Sequence, residues 1–167
     1  AGSPHGSLSA GTTQTLLSLT TNEVASCRYD TVPDASYASL PSTFSTPDGT
    51  AHSITVTGLV DGQTYTFYVR CQDTAPTPNA NPDDFLITFS IASDLDGDGV
   101  PDELDDCPGV SDPDQTDRDG DGIGDACDLC ADYPSPDNSD INRNGIGDVC
   151  ECGDQNGDGT VNVSDLI

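Results

Sequence analysis

The sequence predicts a mainly β protein made of two unlike parts. A β-sandwich is expected over residues 13–93, followed by an irregular, disulfide-linked repeat rod that has no greasy core of its own. Three observations predict this. Up to Ile91, short runs rich in Val, Ile, Thr, Tyr and Phe alternate with turn residues. From Asp94 an acidic, glycine-punctuated pattern returns after 23 residues. The charge is also lopsided: residues 1–93 hold eight acids and two arginines, whereas residues 94–167 hold twenty-two acids and two arginines.

In the first part, residues 1–12 (AGSPHGSLSAGT) are small and polar and read as a linker, with His5 solvated. Strands are expected at 14–20, 24–30, 53–59, 64–72 and 84–92, with a further short one around Phe44. Tyr65, Phe67, Val69 and Cys71 alternate with more polar positions, which suits one face packed on a core. Asp61-Gly62 marks the turn before that strand, and the Pro/Asn-rich segment 74–83 reads as a loop. No nucleophile elbow surrounds any serine, so His52 beside Ser53 reads as a surface residue and not as part of a triad.

The stretch TVTGLVDGQTYTFYVRCQD resembles the fibronectin type III family, with Leu59, Gly62 and Tyr65 at the corner where a tyrosine hydroxyl bonds back to the backbone. The resemblance implies a fibronectin type III-like β-sandwich over 13–93. A Cys27–Cys71 disulfide would join two adjacent strands or sheets of it.

The second part is a set of loops with one grammar. They read DLDGDGVPDELD from Asp94, DRDGDGIGDACD from Asp117, DINRNGIGDVCE from Asp140 and DQNGDGTVNVSD from Asp154. Oxygen-bearing side chains stand at positions 1, 3, 5, 9 and 12, and glycine stands at position 6. A hard cation such as Ca²⁺ takes about 6–8 oxygens, which alternate residues of a short loop can aim inward. The bend at position 6 favours positive φ, hence glycine, and the carbonyl of position 7 then faces the ion: Val100, Ile123, Ile146 and Thr160. With a net charge of −26 for the whole chain, self-repulsion opposes compaction. Bound metal must therefore supply folding free energy in this half.

The repeats look like thrombospondin type 3 repeats over 94–151, on the motif DDCPGVSDPDQTDRDGDGIGDACD. The resemblance implies an irregular calcium-stabilised chain over 94–152 with disulfides Cys107–Cys127 and Cys130–Cys150. Its ligands map onto Asp94, Asp96, Asp98, Asp102 and Asp105, then Asp117, Asp119, Asp121, Asp125 and Asp128. The third set is Asp140, Asn142, Asn144, Asp148 and Glu151. Asp114 and Asp137, between the loops, are placed to add oxygens. The third loop has two asparagines in place of aspartates, so its site is expected to be weaker.

The last loop, within 153–167, resembles a truncated dockerin or EF-hand-like half repeat, with ligands Asp154, Asn156, Asp158, Thr160, Asn162 and Asp165. Cys152 is left over from the cysteine pairing. The chain is expected to be a piece of a secreted or cell-surface protein: a calcium-binding structural or adhesion module that serves as a stiff spacer. A dockerin-type tether of a secreted hydrolase and a self-assembling extracellular filament subunit stand as alternatives, and the protein or surface partner is unknown. No catalytic constellation is found. Acidity disfavours nucleic acid as a partner, and no apolar run approaches the roughly 20 residues of a membrane span.

Overall fold

The computed structural model describes residues 2–45 and 49–151. Two compact units meet between Ser93 and Asp94. The first holds strands β1 (Gly2–Ser3), β2 (Gly6–Leu8), β3 (Gln14–Asp30), β4 (Ser42–Thr43), β5 (Gly49–Thr57), β6 (Thr64–Asp73) and β7 (Phe85–Ile91), with a 3-10 turn at Tyr37–Ser39. The described residues of the second unit hold neither strand nor helix.

Strand β3 organises the first unit. Its start, Gln14–Thr20, pairs antiparallel with β5, and its end, Ala25–Asp30, pairs antiparallel with β6. The register shifts between Thr20 and Ala25. The two strands expected at 14–20 and 24–30 are therefore one strand with an irregularity, and such irregularities sharpen local twist. β6 continues antiparallel to β7, and β2 closes the order β1-β3-β6-β7-β2 by pairing parallel with β7. The hydrogen bonds thus make one continuous sheet, curled through β3, and the unit is mainly β as expected.

Alternate residues of the sheet supply the core. Leu17 and Leu19 meet Val56, Phe67, Val69, Ile87, Phe89 and Ile91 there. Tyr29 packs edge-on to Phe44 and Phe67, with ring centroids 5.3 and 5.8 Å away. Cys27 and Cys71 sit directly opposite each other on β3 and β6 and are disulfide-bonded. At the corner before β6, the Val60 amide donates to Tyr65 Oη at 2.9 Å.

Two expectations are corrected here. Residues 1–12 are not a free linker, because β1 and β2 join the sheet and Leu8 packs on the core. Small residues allow the approach: a Cβ at Gly2 would stand 2.7 Å from the Phe85 ring. His52 is not at the surface but is 1% exposed, with Nε2 3.1 Å from Thr21 Oγ1. It shares the inward face of β5 with Val56, as a period of two requires.

Candidate metal centre

The acidic unit is built from side-chain-to-backbone hydrogen bonds. In the first loop Asp94 receives the amides of Gly97 and Gly99 at 2.8 and 3.1 Å, while Asp98 receives that of Val100 at 2.8 Å. The second loop repeats this with Asp117 to Gly120 and Gly122, and Asp121 to Ile123. The third repeats it with Asp140 to Gly145 and Asn144 to Ile146. At position 6, Gly99, Gly122 and Gly145 take φ of 98°, 95° and 86°, where a side chain would be strained.

This local bonding turns alternate side chains inward. Asp94, Asp96 and Asp98 are half-buried, while Leu95, Gly97 and Gly99 between them are exposed. Carboxylate oxygens of Asp94, Asp96 and Asp98 lie within 4.8 Å of one another, and those of Asp117, Asp119 and Asp121 do the same. Asp102, Asp125 and Asp148 at position 9 instead hold the loop entrance, accepting the amides of Leu95, Arg118 and Ile141 at 2.7, 2.9 and 3.0 Å. The twelfth residues Asp105 and Asp128 accept the amides of Cys107 and Cys130, both at 2.8 Å. Between the loops, Asp114 and Asp137 are exposed, and Asp114 accepts the Thr116 hydroxyl.

The fit to a hard cation rests on unsatisfied oxygen. Asp96 Oδ2, Asp105 Oδ2 and Asp119 Oδ2 are shut off from solvent and have no hydrogen-bond partner. A buried, unpaired carboxylate oxygen is costly. Burial, reinforced by the neighbouring carboxylates, pushes the Asp96 and Asp119 carboxyls above the usual range. Oxygen donors in this number suit Ca²⁺ better than metals that favour nitrogen or sulfur.

The third loop differs. Asn142 Nδ2 donates to Glu151 Oε2 at 3.0 Å, and Asn144 Nδ2 donates to Glu151 Oε1. Amides at positions 3 and 5 thus close on the twelfth carboxylate, where the first two loops bring only like charges together. The fourth loop, Asp154, Asn156, Asp158, Thr160, Asn162 and Asp165, lies outside the described residues, as does Cys152.

Disulfides Cys107–Cys127 and Cys130–Cys150 each span 20 residues, with Cα–Cα distances of 5.7 and 5.5 Å. The two repeats use the same backbone frame. Asp125 N donates to Thr116 O at 2.7 Å, and one repeat later Asp148 N donates to Ser139 O at 2.8 Å. The reading of the loops overlooked Asp106 and Asp112, two acids brought together between the first two loops. Comparing residues 23 apart would have flagged them, since their equivalents are Leu129 and Ser135.

This arrangement defines a β-sheet unit followed by disulfide-linked acidic loops shaped for cations. The thrombospondin type 3 repeat model matches residues 92–115, 116–138 and 139–166, so the acidic part of the chain carries thrombospondin type 3 repeats. Such repeats are non-catalytic, calcium-binding structural modules of extracellular proteins. The third match runs through residues 153–166, for which a separate dockerin-like half repeat was expected. No curated protein matches the chain.

Proposed function

We propose that the chain is a calcium-dependent spacer or adhesion module of a larger extracellular protein. A fibronectin type III-like unit over 13–93 carries the apolar core, and bound calcium is the interior of 94–151. The observation that carries this reading is the set of buried, unpartnered carboxylate oxygens in the first two loops. Apolar side chains support it from the other side. Leu95 and Leu104 are each 76% exposed, and among the described residues of this unit the buried apolar side chains are Cys107 and Cys130. Almost no greasy surface is removed from water there.

The proposed ligands are the inward residues of each loop: Asp94, Asp96, Asp98 and Asp105, then Asp117, Asp119, Asp121 and Asp128, with the carbonyls of Val100 and Ile123. Asp140 and Glu151, with Asn142, Asn144 and the Ile146 carbonyl, form the weaker third set. Bound calcium supplies positive charge that offsets the mutual repulsion of these carboxylates. The chain's own residues fix the loop bend, aim the oxygens and staple successive repeats through sulfur.

The test is chelation of the full chain, followed by circular dichroism and limited proteolysis. Excess chelator should expose 94–151 to protease while 13–93 stays resistant. Equal resistance of both units with and without calcium would refute the reading.

A further inference from the structure

We propose that Asn144 is a modification site: its side-chain amide is lost spontaneously to attack by the Gly145 backbone nitrogen when the third loop opens, and bound calcium guards it. The guarding rests on the function proposed above, whereas the chemistry rests on the chain's own atoms. Asn144 precedes Gly145, and the other asparagines of the described residues precede Glu23, Ala80, Pro82, Ser139 and Arg143. The Gly145 nitrogen bonds to Asn144 Cγ and gives up its proton, the bond from Cγ to Nδ2 breaks, and ammonia leaves. Water then opens the resulting ring to aspartate or to isoaspartate. Glycine lacks the side chain that would shield its nitrogen. Both residues are exposed. Apart from its chain neighbours, no heavy atom lies within 4 Å of where a Cβ on Gly145 would stand.

The closed loop engages both reacting groups. Gly145 N donates to Asp140 Oδ2 at 2.9 Å. Asn144 Oδ1 accepts the Ile146 amide at 2.8 Å, and its Nδ2 donates to Glu151 Oε1. The attacking nitrogen and both ends of the side-chain amide are therefore held, and the reaction needs these bonds released together. Such release is a local opening, and a ligand that binds the closed loop lowers the open population. Loss of calcium thus exposes Asn144 to its own backbone.

The preceding repeats show what the reaction produces. Position 5 is Asp98 in the first loop and Asp121 in the second. Each stands before a glycine, at φ 98° and 95°, as Asn144 stands before Gly145 at 86°. Asp98 and Asp121 accept the amides of Val100 and Ile123 at 2.8 and 3.0 Å, the same bond that Asn144 makes with Ile146. The frame therefore already accommodates an aspartate. An ionised carboxylate resists attack by a backbone nitrogen, so the asparagine is the reactive copy. Deamidation also removes the donor that Asn144 offers to Glu151 and sets like charges there instead. The isoaspartate product lengthens the main chain and loses the same bond. Either way the third loop passes irreversibly from closing partly through its own amides to depending on metal.

The full chain is incubated at mildly alkaline pH in excess chelator and in saturating calcium chloride, with circular dichroism followed in parallel. Digestion in mild acid and mass spectrometry then read each asparagine for conversion to acid. Asn144 should convert about tenfold or more faster in chelator than in calcium, while Asn138 and Asn142 stay amides. Equal rates, or an Asn144 no faster than Asn142 in chelator, overturn the proposal; a dichroism that still responds to calcium then leaves the calcium-dependent fold standing. A dichroism that ignores calcium overturns both. The consequence is read on Asn144→Asp. In chelator its tryptic cut after Arg143, normalised to the reduced, denatured variant, should be about fivefold faster than in the parent chain. An unchanged rate would overturn the role given to the amide.

Discussion

When calcium is removed, trypsin should cut the second loop before the third. Arginine marks each loop, Arg118 at its second position and Arg143 at its fourth, and both side chains are exposed. The third loop keeps two amide-to-carboxylate bonds, Asn142 and Asn144 to Glu151, that need no metal. Hydrogen bonds to charged groups contribute about 1.5–3 kcal/mol each. Asn144 is exposed and Asn142 half-buried, so we assign about 2 kcal/mol to the pair together. The second loop has no counterpart. Asp119 Oδ2 is buried without a partner, and the ion pairs of exposed Arg118 add little. A difference of about 2 kcal/mol is about thirtyfold in the opening equilibrium, and cleavage follows the open population when opening is fast. The assay is trypsin on the full chain in excess chelator, each cut quantified by mass spectrometry and normalised to its rate in the reduced, denatured chain. Normalisation removes the intrinsic penalty of Asp119 following Arg118. The normalised cut at Arg118 should be about thirtyfold faster. Asn142→Asp/Asn144→Asp should bring the two rates to within about threefold. Equal rates in the parent chain, or Arg143 cut first, would refute the reasoning.

Three further outcomes follow from the same geometry. Cys107→Ser/Cys127→Ser opens a crosslink spanning 20 residues; it should cost about 3 kcal/mol, seen as a lower urea midpoint for the acidic unit in saturating calcium. Tyr65→Phe deletes the acceptor of the Val60 amide and should cost about 1 kcal/mol, read as a lower melting temperature of the sheet unit in chelator. Asp84 is held below its ordinary value of 3.8, first by its bond to Arg70 and then by the Asp34 amide. A depressed folded value means that the stabilisation is present above 3.8 and is lost as pH falls below it. The melting temperature of the sheet unit should therefore fall as pH drops below that point, and Asp84→Asn should lower it at neutral pH while flattening the acid limb.

The sequence revealed the loops more fully than the sheet. Loop grammar is local: Asp94, Gly97 and Gly99 interact within six residues, so spacing alone carries the geometry. Sheet topology is set by distant partners. Nothing between Thr20 and Ala25 shows that one strand runs through and changes partner from β5 to β6. The small residues of 1–12 read as a linker because their reason for order is Phe85, some eighty residues away. His52 was legible but misread, since its alternation with Val56 already placed it inside. Asp106 and Asp112 were hidden among so many acids; the 23-residue step to Leu129 and Ser135 marks them as unusual, but only the three-dimensional structure brings them together.

The three described loops share a backbone but not a demand for cations. In the first, two oxygens at ligand positions are buried and unpartnered, Asp96 Oδ2 and Asp105 Oδ2. The second has Asp119 Oδ2 at a ligand position, with the neutral Ser135 Oγ standing where the first has Asp112, and no such oxygen is found in the third among the described residues. The charges at positions 1, 3, 5 and 12 fall in the same direction, from four aspartates in each of the first two loops to Asp140 and Glu151 in the third. Affinity in oxygen-ligand loops follows charge count, and the cost of the empty state follows the same like-charge repulsion. The loop that binds metal most tightly is therefore the one least able to stand without it. Calcium titration of a chelated chain should accordingly order the loop next to the sheet unit first. Resonances of Gly99, Gly122 and Gly145 would report each loop separately, and ordering that began at Gly145 would contradict the gradient.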